Sequence, residues 1–300
     1  METKKFKSGF IAVIGRPNVG KSTLVNAMIK AKIAIVSDKA QTTRNRILCI
    51  HTDEECQLVF LDTPGVHKPQ HKLGEYMVDV ALSSLKEVDA ILFVIAGNEK
   101  RGNGDEFLLE QLKNVETPVF LLVNKIDLIA KEAVFKKMDE YSKLYSFAQI
   151  IPISARNEVN LDTLLSELKN VLPEGPKYFP DDMVTDQPER LLVAEIVREK
   201  ILRNTREEIP HAIAVYVDEM KTRENNKVYI RMTVYVERES QKYIVIGKNG
   251  TVLKKVGQLA RQEIENILGS PVFLDIWVKV KRDWRNQASA LSEFGYKNER

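Results

Sequence analysis

Short apolar runs alternate with amphipathic segments through the first 172 residues of the chain. This alternation is typical of a parallel β-sheet that is covered by helices on both faces. The apolar runs predict strands over residues 10–14, 46–50, 58–61, 91–95, 119–123 and 150–153. Helical spacing predicts helices over residues 23–30, 105–112, 134–144 and 161–171. We therefore expect an α/β domain whose functional loops follow the carboxyl ends of the strands.

Four prolines interrupt the periodic pattern after residue 172 and flank a polar stretch, which is typical of an interdomain linker. Beyond it, the pattern predicts the order helix, strand, strand, helix, helix, strand. Its clearest segments are residues 191–203, 212–220, 227–237, 252–268 and 272–280. We therefore predict a first domain over residues 1–173, a linker over 174–189, and a second, α+β domain with a C-terminal helix over 190–300.

Composition and length narrow the class of protein. The 300 residues are 44% hydrophobic, which suits two packed globular domains. No run of about 18 apolar residues is present, and the basic N-terminal segment lacks the apolar core of a signal peptide. Cys49 and Cys56 are too few for a disulfide framework or a zinc site. We expect an unexported protein of the reducing cytoplasm.

Charge is distributed unevenly between the two parts. Residues 1–175 hold 23 basic and 23 acidic residues, whereas the remainder holds 22 basic and 19 acidic. Within residues 241–285, nine basic residues accompany four acidic ones. This excess fits a polyanion such as nucleic acid, but a solvated helix face produces the same count. Charge alone therefore leaves both interpretations open.

The first predicted strand leads into GRPNVGKS, which matches the phosphate-binding pattern GxxxxGKS. Glycines let backbone N–H groups approach phosphate oxygens, the lysine reaches the β- and γ-phosphates, and the serine hydroxyl is a ligand for Mg²⁺. A chance glycine turn is the alternative, but the strand before it and the helix after it argue against that. The predicted triphosphate site consists of Gly15, Arg16, Pro17, Asn18, Val19, Gly20, Lys21 and Ser22.

The segment VFLLVNKID predicts which base is bound. A carboxylate at Asp127 accepts hydrogen bonds from N1–H and the 2-amino group of guanine, which adenine does not offer. Asn124 is expected to tie this loop to the phosphate loop, and the stem of Lys125 to cover the base. An ordinary strand-to-helix turn is the alternative for NKID in isolation. The predicted base-binding residues are Asn124, Lys125, Ile126 and Asp127, followed by Ser154, Ala155 and Arg156, with the Ala155 N–H directed at guanine O6.

The segment LVFLDTPG predicts a loop that senses the nucleotide. Asp62 is placed to hold Mg²⁺ through water, and the N–H of Gly65 to meet the γ-phosphate. Either Thr43 or Thr42 in QTTR, residues 41–44, is expected to complete the Mg²⁺ shell when triphosphate is bound. The predicted nucleotide contacts of this loop are Asp62, Thr63, Pro64, Gly65 and Val66.

GRPNVGKS, QTTR, DTPG, NKID and SAR resemble the successive motifs of translation-factor-related small GTPases. With GKNG and the linker LPEGPKYFP, the chain resembles the Era family of bacterial GTPases over essentially its whole length. The resemblance implies an α/β P-loop GTPase domain, with a mixed, mostly parallel sheet, followed by a type II KH domain. It also implies Mg²⁺-dependent GTP hydrolysis, GTP and GDP as ligands, and 16S rRNA near its 3′ end in 30S subunit biogenesis. The catalytic residues that the resemblance implies are Lys21, Thr43, Gly65 and Asn18.

The residue after DTPG departs from the Ras-like pattern. Ras-like proteins carry there the glutamine that orients the attacking water, whereas this chain carries Val66. We therefore expect slow intrinsic hydrolysis. Related GTPases with this substitution imply help from K⁺, for which Asn18 is the matching ligand; groups supplied by a partner are the alternative.

GKNG matches the GxxG loop with which KH domains clamp about four nucleotides. A bare Asn-Gly favours a hairpin turn, but helical spacing follows this loop, so the glycines separate two helices. The predicted RNA-binding residues are Ile244, Ile246, Gly247, Lys248, Asn249, Gly250 and Lys254. Further candidate phosphate contacts are Lys255, Lys279, Lys281, Arg282 and Arg285.

Other residues give weaker evidence of function. His67 and His71 lack a third metal ligand nearby, and Trp277 and Trp284 are expected in the core rather than on RNA. A membrane-associated signalling GTPase and an RNA-binding assembly factor with vestigial hydrolysis remain alternative functions. We expect one nucleotide site per chain and a monomer, and the sequence leaves peripheral membrane contact open.

Overall fold

The computed structural model describes residues 5–37, 39, 42–205, 209–223 and 226–297, with only the backbone at Pro210 and His211. Gln41 of the QTTR motif therefore lies outside the described residues. The chain divides into two compact units, the first formed mainly by residues up to Asp186 and the second mainly by residues from Gln187 onward.

The first unit is built on a six-stranded sheet with the order β2-β3-β1-β4-β5-β6. Only β2 runs antiparallel to its neighbour β3, and the other pairs are parallel. The expected mixed, mostly parallel sheet is confirmed. Its strands are β1 Lys7–Ile14, β2 Ile47–Thr52, β3 Cys56–Asp62, β4 Ala90–Ala96, β5 Val119–Asn124 and β6 Gln149–Pro152.

Helices cover both faces of this sheet. Because side chains alternate along a strand, Ile11 and Val13 of β1 join one apolar cluster, while Ala12 and Ile14 join the other. Burial on both faces explains why these strands read as nearly continuous apolar runs. The helices are α1 Lys21–Ile29, α2 Lys72–Ser83, α3 Asn103–Leu112, α4 Lys131–Ser142 and α5 Leu161–Val171.

Helix α2 corrects the sequence prediction, which placed no helix between residues 30 and 105. Leu73, Met77 and Ala81 are buried at helical spacing. Gly74 in the first turn and the polar residues before it weaken the local helical signal. The helix is therefore specified by the burial of this stripe more than by propensity.

The second unit has the expected order of elements, with one additional four-residue helix before its first strand. Strand β8 pairs antiparallel with β7 and parallel with β9. The expected α+β arrangement is confirmed. The elements are α6 Glu189–Asn204, α7 Ile209–Ala212, β7 Ala214–Thr222, β8 Val228–Val236, α8 Glu239–Ile246, α9 Thr251–Leu268, β9 Val272–Val280 and α10 Ala288–Glu293.

The two tryptophans differ in burial, and one of them corrects the sequence prediction. Trp284 is fully buried and its Nε1–H donates to the carbonyl of Ala212 at 2.9 Å. Trp277, which was expected in the core, is 56% exposed. It lies on edge strand β9, where Val278 is buried and Trp277 projects to the opposite face.

Candidate nucleotide site and nucleic-acid interface

Two glycines allow the phosphate loop between β1 and α1 to pack closely. Gly15 has φ +153°, and a Cβ there would lie 2.3 Å from the carbonyl oxygen of Val94. Gly20 has φ +100°, and its Cβ would lie 2.3 Å from Nδ2 of Asn124. Both positions therefore exclude a side chain, and Gly20 caps the N-terminus of α1.

Lys21 lies inside this loop. Its side chain is buried, and Nζ donates to the carbonyl oxygens of Gly15 at 3.1 Å and Arg16 at 3.0 Å. Burial lowers the pKa of Lys21 to about 8, although Asp62 opposes this shift. A nearby phosphate would favour the charged form of this lysine.

Three oxygen-bearing side chains converge beside Lys21. The hydroxyl of Ser22 donates to Oδ2 of Asp62 at 2.7 Å and lies 2.9 Å from the hydroxyl of Thr43. Thr43 also donates to Oδ2 of Asp62 at 3.4 Å. The Ser22–Thr43–Asp62 cluster thus joins α1, the segment before β2 and the end of β3.

The Ser22–Thr43–Asp62 cluster fits a Mg²⁺ ion. Oδ1 of Asp62 is buried and has no hydrogen-bond partner among the described residues. Burial raises the pKa of Asp62 to about 6, against the opposing effects of Lys21, Ser22 and Thr43. A hard divalent cation prefers oxygen ligands and would compensate such a buried carboxylate.

The sequence left open whether Thr42 or Thr43 binds Mg²⁺, and the two side chains have different partners in the structure. The hydroxyl of Thr42 donates to the carbonyl of Lys39 at 2.6 Å. Thr43, in contrast, belongs to the Ser22–Thr43–Asp62 cluster. The geometry therefore favours Thr43 as the metal ligand.

The DTPG segment packs directly on the phosphate loop. The hydroxyl of Thr63 donates to the carbonyl of Val13 at 2.6 Å, and the N–H of Val66 donates to the carbonyl of Gly15 at 3.1 Å. A Cβ on Gly65 would lie 2.5 Å from the nitrogen of Pro17, so only glycine fits. The Val66 side chain is 2% exposed and lies within an apolar cluster.

Asn124 links the predicted base-binding segments to the phosphate loop. Its Nδ2 donates to the carbonyl of Val19 at 2.8 Å, while its Oδ1 accepts from the N–H of Ala155 at 3.0 Å. The Ala155 N–H, which the sequence directed at guanine O6, is thus engaged with Asn124. A contact between this N–H and a base stays a prediction.

Asp127 is exposed at the carboxyl end of β5, where a short 3₁₀ turn, Ile126–Leu128, follows Lys125. The hydroxyl of Ser154 donates to Oδ1 of Asp127 at 2.6 Å. This hydrogen bond fixes the carboxylate, and the sequence patterns gave no signal for it. Arg156 is exposed, as is Asn18, whose φ of +63° lies in the left-handed region that asparagine tolerates.

In the second unit, the GxxG segment joins α8 to α9, so the two glycines separate helices and not strands. Gly247 has φ +76°, and a Cβ there would lie 2.5 Å from Cγ2 of Val252. Gly250 also has φ +76°, but its Cβ would meet no heavy atom within 4 Å. Gly247 is therefore required by packing, whereas the space at Gly250 is open to a ligand.

A groove of about 360 Å³ lies between α9 and β9 and begins at this loop. Gly250 and the predicted Lys254 line it. Its apolar wall includes Leu253, Leu274 and Ile276, which the sequence did not single out. Ile244, 40% exposed, and the half-buried Ile246 lie on α8, and their contact with bases stays a prediction.

Two of the candidate phosphate contacts form ion pairs within the second unit. Arg285 pairs with Glu237 at 2.5 Å, and Lys281 pairs with Glu293. Both cations therefore already have carboxylate partners, and their contact with phosphate stays a prediction. Of the cations among the predicted RNA-binding residues, Lys254 is the one that lines the groove.

Comparison with known proteins agrees with both sites. One family model, described as a 50S ribosome-binding GTPase, matches residues 10–125, and a KH-domain model matches residues 208–285. A solved structure of Era in complex with MgGDPNP and nucleotides 1506–1542 of 16S ribosomal RNA is 45% identical. The match covers 97% of this chain and 99% of that one, with a TM-score of 0.94. The chain belongs to the Era family of GTPases.

A second Era-family structure, a point variant of Aquifex aeolicus Era bound to GDP.AlF4-, is also 45% identical. The match covers 97% of this chain and 99% of that one, with a TM-score of 0.93. The resemblance inferred from the motifs is thereby confirmed.

Two further carboxylates of this Era-family chain hold the phosphate loop and were not found from the sequence. Nε of Arg16 lies 2.9 Å from Oδ2 of the buried Asp105, and its NH2 lies 3.1 Å from Oε2 of Glu99. Glu99 also lies 3.5 Å from Nζ of Lys125. Gly102, the N-cap residue of α3, permits this approach, since a Cβ there would lie 2.9 Å from the Arg16 guanidinium.

Two features are absent from the described residues. No helix in this part of the chain is long and apolar enough to cross a membrane. The same residues contain no group of three or more His, Cys, Asp or Glu side chains arranged to hold a metal ion.

Proposed function

We propose that this chain is a GTP-hydrolysing switch that binds single-stranded RNA from the 3′ end of 16S rRNA and acts in 30S subunit biogenesis and 16S rRNA processing. The observation that carries the proposal is the presence, in one chain, of the Ser22–Thr43–Asp62 cluster beside Lys21 and a GxxG groove beside Lys254. The first is suited to a magnesium-bound triphosphate and the second to an RNA backbone.

The nucleotide is GTP or GDP. Glycines and N–H groups of residues 15–22 surround its phosphates, Lys21 places positive charge beside the β- and γ-phosphates, and the N-terminus of α1 favours the anion. Asp127, oriented by Ser154, accepts the two guanine donors. Ser22, Thr43 and Asp62 would hold Mg²⁺, which would neutralise phosphate charge.

Hydrolysis proceeds without a side chain at position 66 that orients water. Val66 is packed in an apolar cluster and carries no polar group. The chain's own contribution is to position the phosphates, with Lys21 and the N–H of Gly65 stabilising charge that develops on the γ-phosphate. Asn18 would hold a K⁺ ion, which would supply further positive charge beside the phosphates; groups from an RNA or protein partner are the competing source.

The RNA is clamped at residues 247–250, where Gly250 leaves open space and Lys254 meets a phosphate. Bases enter the groove between α9 and β9, whose wall is apolar. The 45% identical Era structure holds the 3′-terminal segment of 16S rRNA, and this identity supports the same RNA class here.

We further propose working domain boundaries of 1–173 for the GTPase domain, 174–189 for the linker and 190–300 for the KH domain. The place of action is the cytoplasm, because that is where 30S subunits mature, and the working form is a monomer. A membrane-associated signalling GTPase would instead bind lipid without RNA.

RNA binding in two nucleotide states tests the proposal. The full chain is titrated with a labelled 3′-terminal 16S rRNA oligonucleotide, in Mg²⁺ with a non-hydrolysable GTP analogue or with GDP. We expect binding that depends on the nucleotide and weakens as salt rises, because phosphate contacts release counterions. Gly250→Asp adds a negative charge in open space and should lower the affinity by about tenfold or more.

The matched control is an aspartate placed at the C-terminal end of α9, in Gly269→Asp. Gly269 has φ +61° and open space around its Cβ position, like Gly250, but it does not line the groove. Equal affinity of wild type and Gly250→Asp, with an unchanged salt dependence, would contradict the RNA clamp.

A further inference from the structure

The sheet of the second unit has a face that the RNA groove does not use, and we propose that it is a second contact surface for the same single-stranded RNA. We call it the aromatic face and define it by Tyr229, Arg231, Phe273, Asp275 and Trp277. The inference rests on the proposed function, because it extends the RNA beyond the nucleotides clamped at the GxxG loop.

The register of two parallel strands assembles the aromatic face. Tyr229 of β8 lies opposite Phe273 of β9, and Arg231 lies opposite Asp275. Side chains alternate along a strand, so these residues share the face opposite Ile230 and Met232, which are fully buried.

Two of the three rings on this face are exposed, and stacking or hydrogen bonds orient all three. Phe273 is 50% exposed and Trp277 is 56% exposed. The rings of Tyr229 and Phe273 stack with their centroids 5.9 Å apart and their planes 11° from parallel. Oδ2 of Asp275 accepts from Nε1 of Trp277 at 3.1 Å and from the Tyr229 hydroxyl at 3.3 Å.

Fixed, exposed rings are what base stacking requires, because little conformational entropy remains to be lost on binding. Asp275 orients an aromatic side chain on each strand through the same oxygen atom. The carboxylate therefore has a structural role on this face and is not simply a negative charge that would repel RNA.

Cationic groups surround the stacked pair. The guanidinium carbon of Arg223 lies 4.6 Å from the Tyr229 ring centroid, and Nζ of Lys227 lies 5.7 Å from that of Phe273. Among the described residues on and around the face, the positively charged side chains outnumber the carboxylates. The cations are Lys221, Arg223, Lys227, Arg231 and Lys279, and the carboxylates are Asp218, Glu219 and Asp275.

The other two carboxylates are also engaged by neighbours. Glu219 lies 2.7 Å from Nζ of Lys221 and 3.4 Å from the guanidinium of Arg231, and Asp218 accepts from the Thr233 hydroxyl at 2.8 Å. The remaining positive excess is complementary to phosphate. Aromatic rings interleaved with cations form the usual platform for single-stranded nucleic acid.

The aromatic face is continuous with the proposed RNA groove. Phe273 and Lys227 line that groove and also belong to the stacked, cation-flanked pair. RNA leaving the groove at Phe273 therefore passes the edge of β9 directly onto the face. Trp277 lies four residues further along β9, about 13 Å away.

Comparing RNA of two lengths tests the inference with the full-length chain. A set of overlapping probes of about five nucleotides from the 16S rRNA 3′ end fills the clamp alone, and probes of about twelve nucleotides extend beyond it on either side. Trp277→Ala should weaken binding of a twelve-nucleotide probe by about 5- to 100-fold, the usual range for loss of one stacked base. Binding of the best five-nucleotide probe should not change.

Trp277→Phe keeps a stacking ring and should recover most of the lost affinity. Phe135→Ala, at an exposed aromatic residue of α4 in the first unit, is the matched control and should bind both probes as wild type does. Circular dichroism and sedimentation of each variant report folding and self-association.

Unchanged affinity of Trp277→Ala for the long probes would overturn the inference, as would equal losses for short and long probes. Loss of self-association without loss of RNA affinity would assign the face to a second copy of the chain and would also overturn it. Failure of the wild type to bind any probe would instead reject the proposed RNA-binding function itself.

Discussion

At the scale of single residues, the proposed function assigns the choice of base to Asp127. Its carboxylate, which accepts a hydrogen bond from Ser154, is expected to accept from both N1–H and the 2-amino group of guanine. Asp127→Asn should lower GTP affinity by about 10⁴-fold or more and raise affinity for xanthosine triphosphate, since the new amide matches xanthine. Titration with labelled nucleotides measures both.

Ser154→Ala is the matched control for this substitution. It removes the hydrogen bond at 2.6 Å but keeps the Asp127 carboxylate, so GTP should still be preferred over xanthosine triphosphate. Unaltered GTP affinity in Asp127→Asn would contradict the base assignment.

The second prediction at this scale separates two adjacent threonines. Thr43→Ala removes a member of the Ser22–Thr43–Asp62 cluster, whereas Thr42→Ala removes only a hydrogen bond to Lys39. Thr43→Ala should weaken Mg²⁺-dependent binding of a GTP analogue by about 10- to 100-fold, while Thr42→Ala should retain most of the affinity. Equal losses in both variants would remove Thr43 from the metal site.

Sequence reasoning performs well for residues inside contiguous motifs and poorly for contacts between distant segments. Lys21, Ser22 and Asp62 were found because each sits in a short pattern at a strand end. Asp105 and Glu99 were missed because their contact with Arg16 joins segments more than 80 residues apart. Such pairing depends on tertiary packing, which a local pattern does not encode.

At the scale of elements, the GxxG loop contains one glycine required by packing and one that leaves room for a ligand. Gly247→Ala would place Cβ 2.5 Å from Val252 and force an alanine into backbone angles that favour glycine. We expect it to destabilise the second unit by about 2 kcal/mol or more. Gly250→Ala meets no atom within 4 Å and should cost about 1–2 kcal/mol from its positive φ alone.

Urea unfolding of both variants, with fluorescence of the buried Trp284 as the probe, measures this difference. The two glycines would be equivalent if both variants lost the same stability, and the distinction drawn from their surroundings would then be wrong.

The β2–β3 turn provides a prediction of pH dependence. Burial raises the pKa of Asp53, but hydrogen bonds from Lys169 and from the N–H groups of Glu55 and Cys56 outweigh it and lower the pKa overall. A lowered folded-state pKa means that Asp53 stabilises the fold above the ordinary aspartate range near pH 4 and that this contribution is lost as pH falls.

Asp53→Asn should therefore destabilise the chain by about 1 kcal/mol at pH 7, and the difference from wild type should shrink below pH 4. Nζ of Lys169 lies 2.8 Å from the Asp53 carboxylate, and His51, whose pKa burial lowers, lies 3.6 Å away and is neutral at pH 7. Urea unfolding at several pH values checks the trend. A difference that stays constant down to pH 2 would contradict it.

Element prediction succeeded for the central strands of the first unit and failed for helix α2. The continuous apolar runs of β1, β3 and β4 identified the central strands because both faces of these strands are buried. Helix α2 was missed because polar residues and Gly74 weaken its local signal. Trp277 was misplaced because sequence alternation does not say which face of an edge strand is covered.

At the scale of the whole molecule, the proposed function requires both a nucleotide site and an RNA site in one chain. The departure at Val66 bears on how the two are used, since a chain without a water-orienting side chain hydrolyses slowly until another group assists. We propose that a K⁺ ion held by Asn18 is such a group. Turnover should be faster in KCl than in NaCl at equal ionic strength, and Asn18→Ala should abolish the difference.

In the proposed switch, RNA occupancy controls GTP hydrolysis. Steady-state turnover tests this control most directly. The rate is measured in Mg²⁺ and KCl, with and without the 3′-terminal 16S rRNA oligonucleotide, for wild type and Gly250→Asp. We predict that RNA accelerates the wild type and that Gly250→Asp keeps its basal rate but needs a much higher RNA concentration for acceleration. A wild-type rate that RNA does not change, or equal acceleration of both proteins at low RNA concentration, would contradict the account.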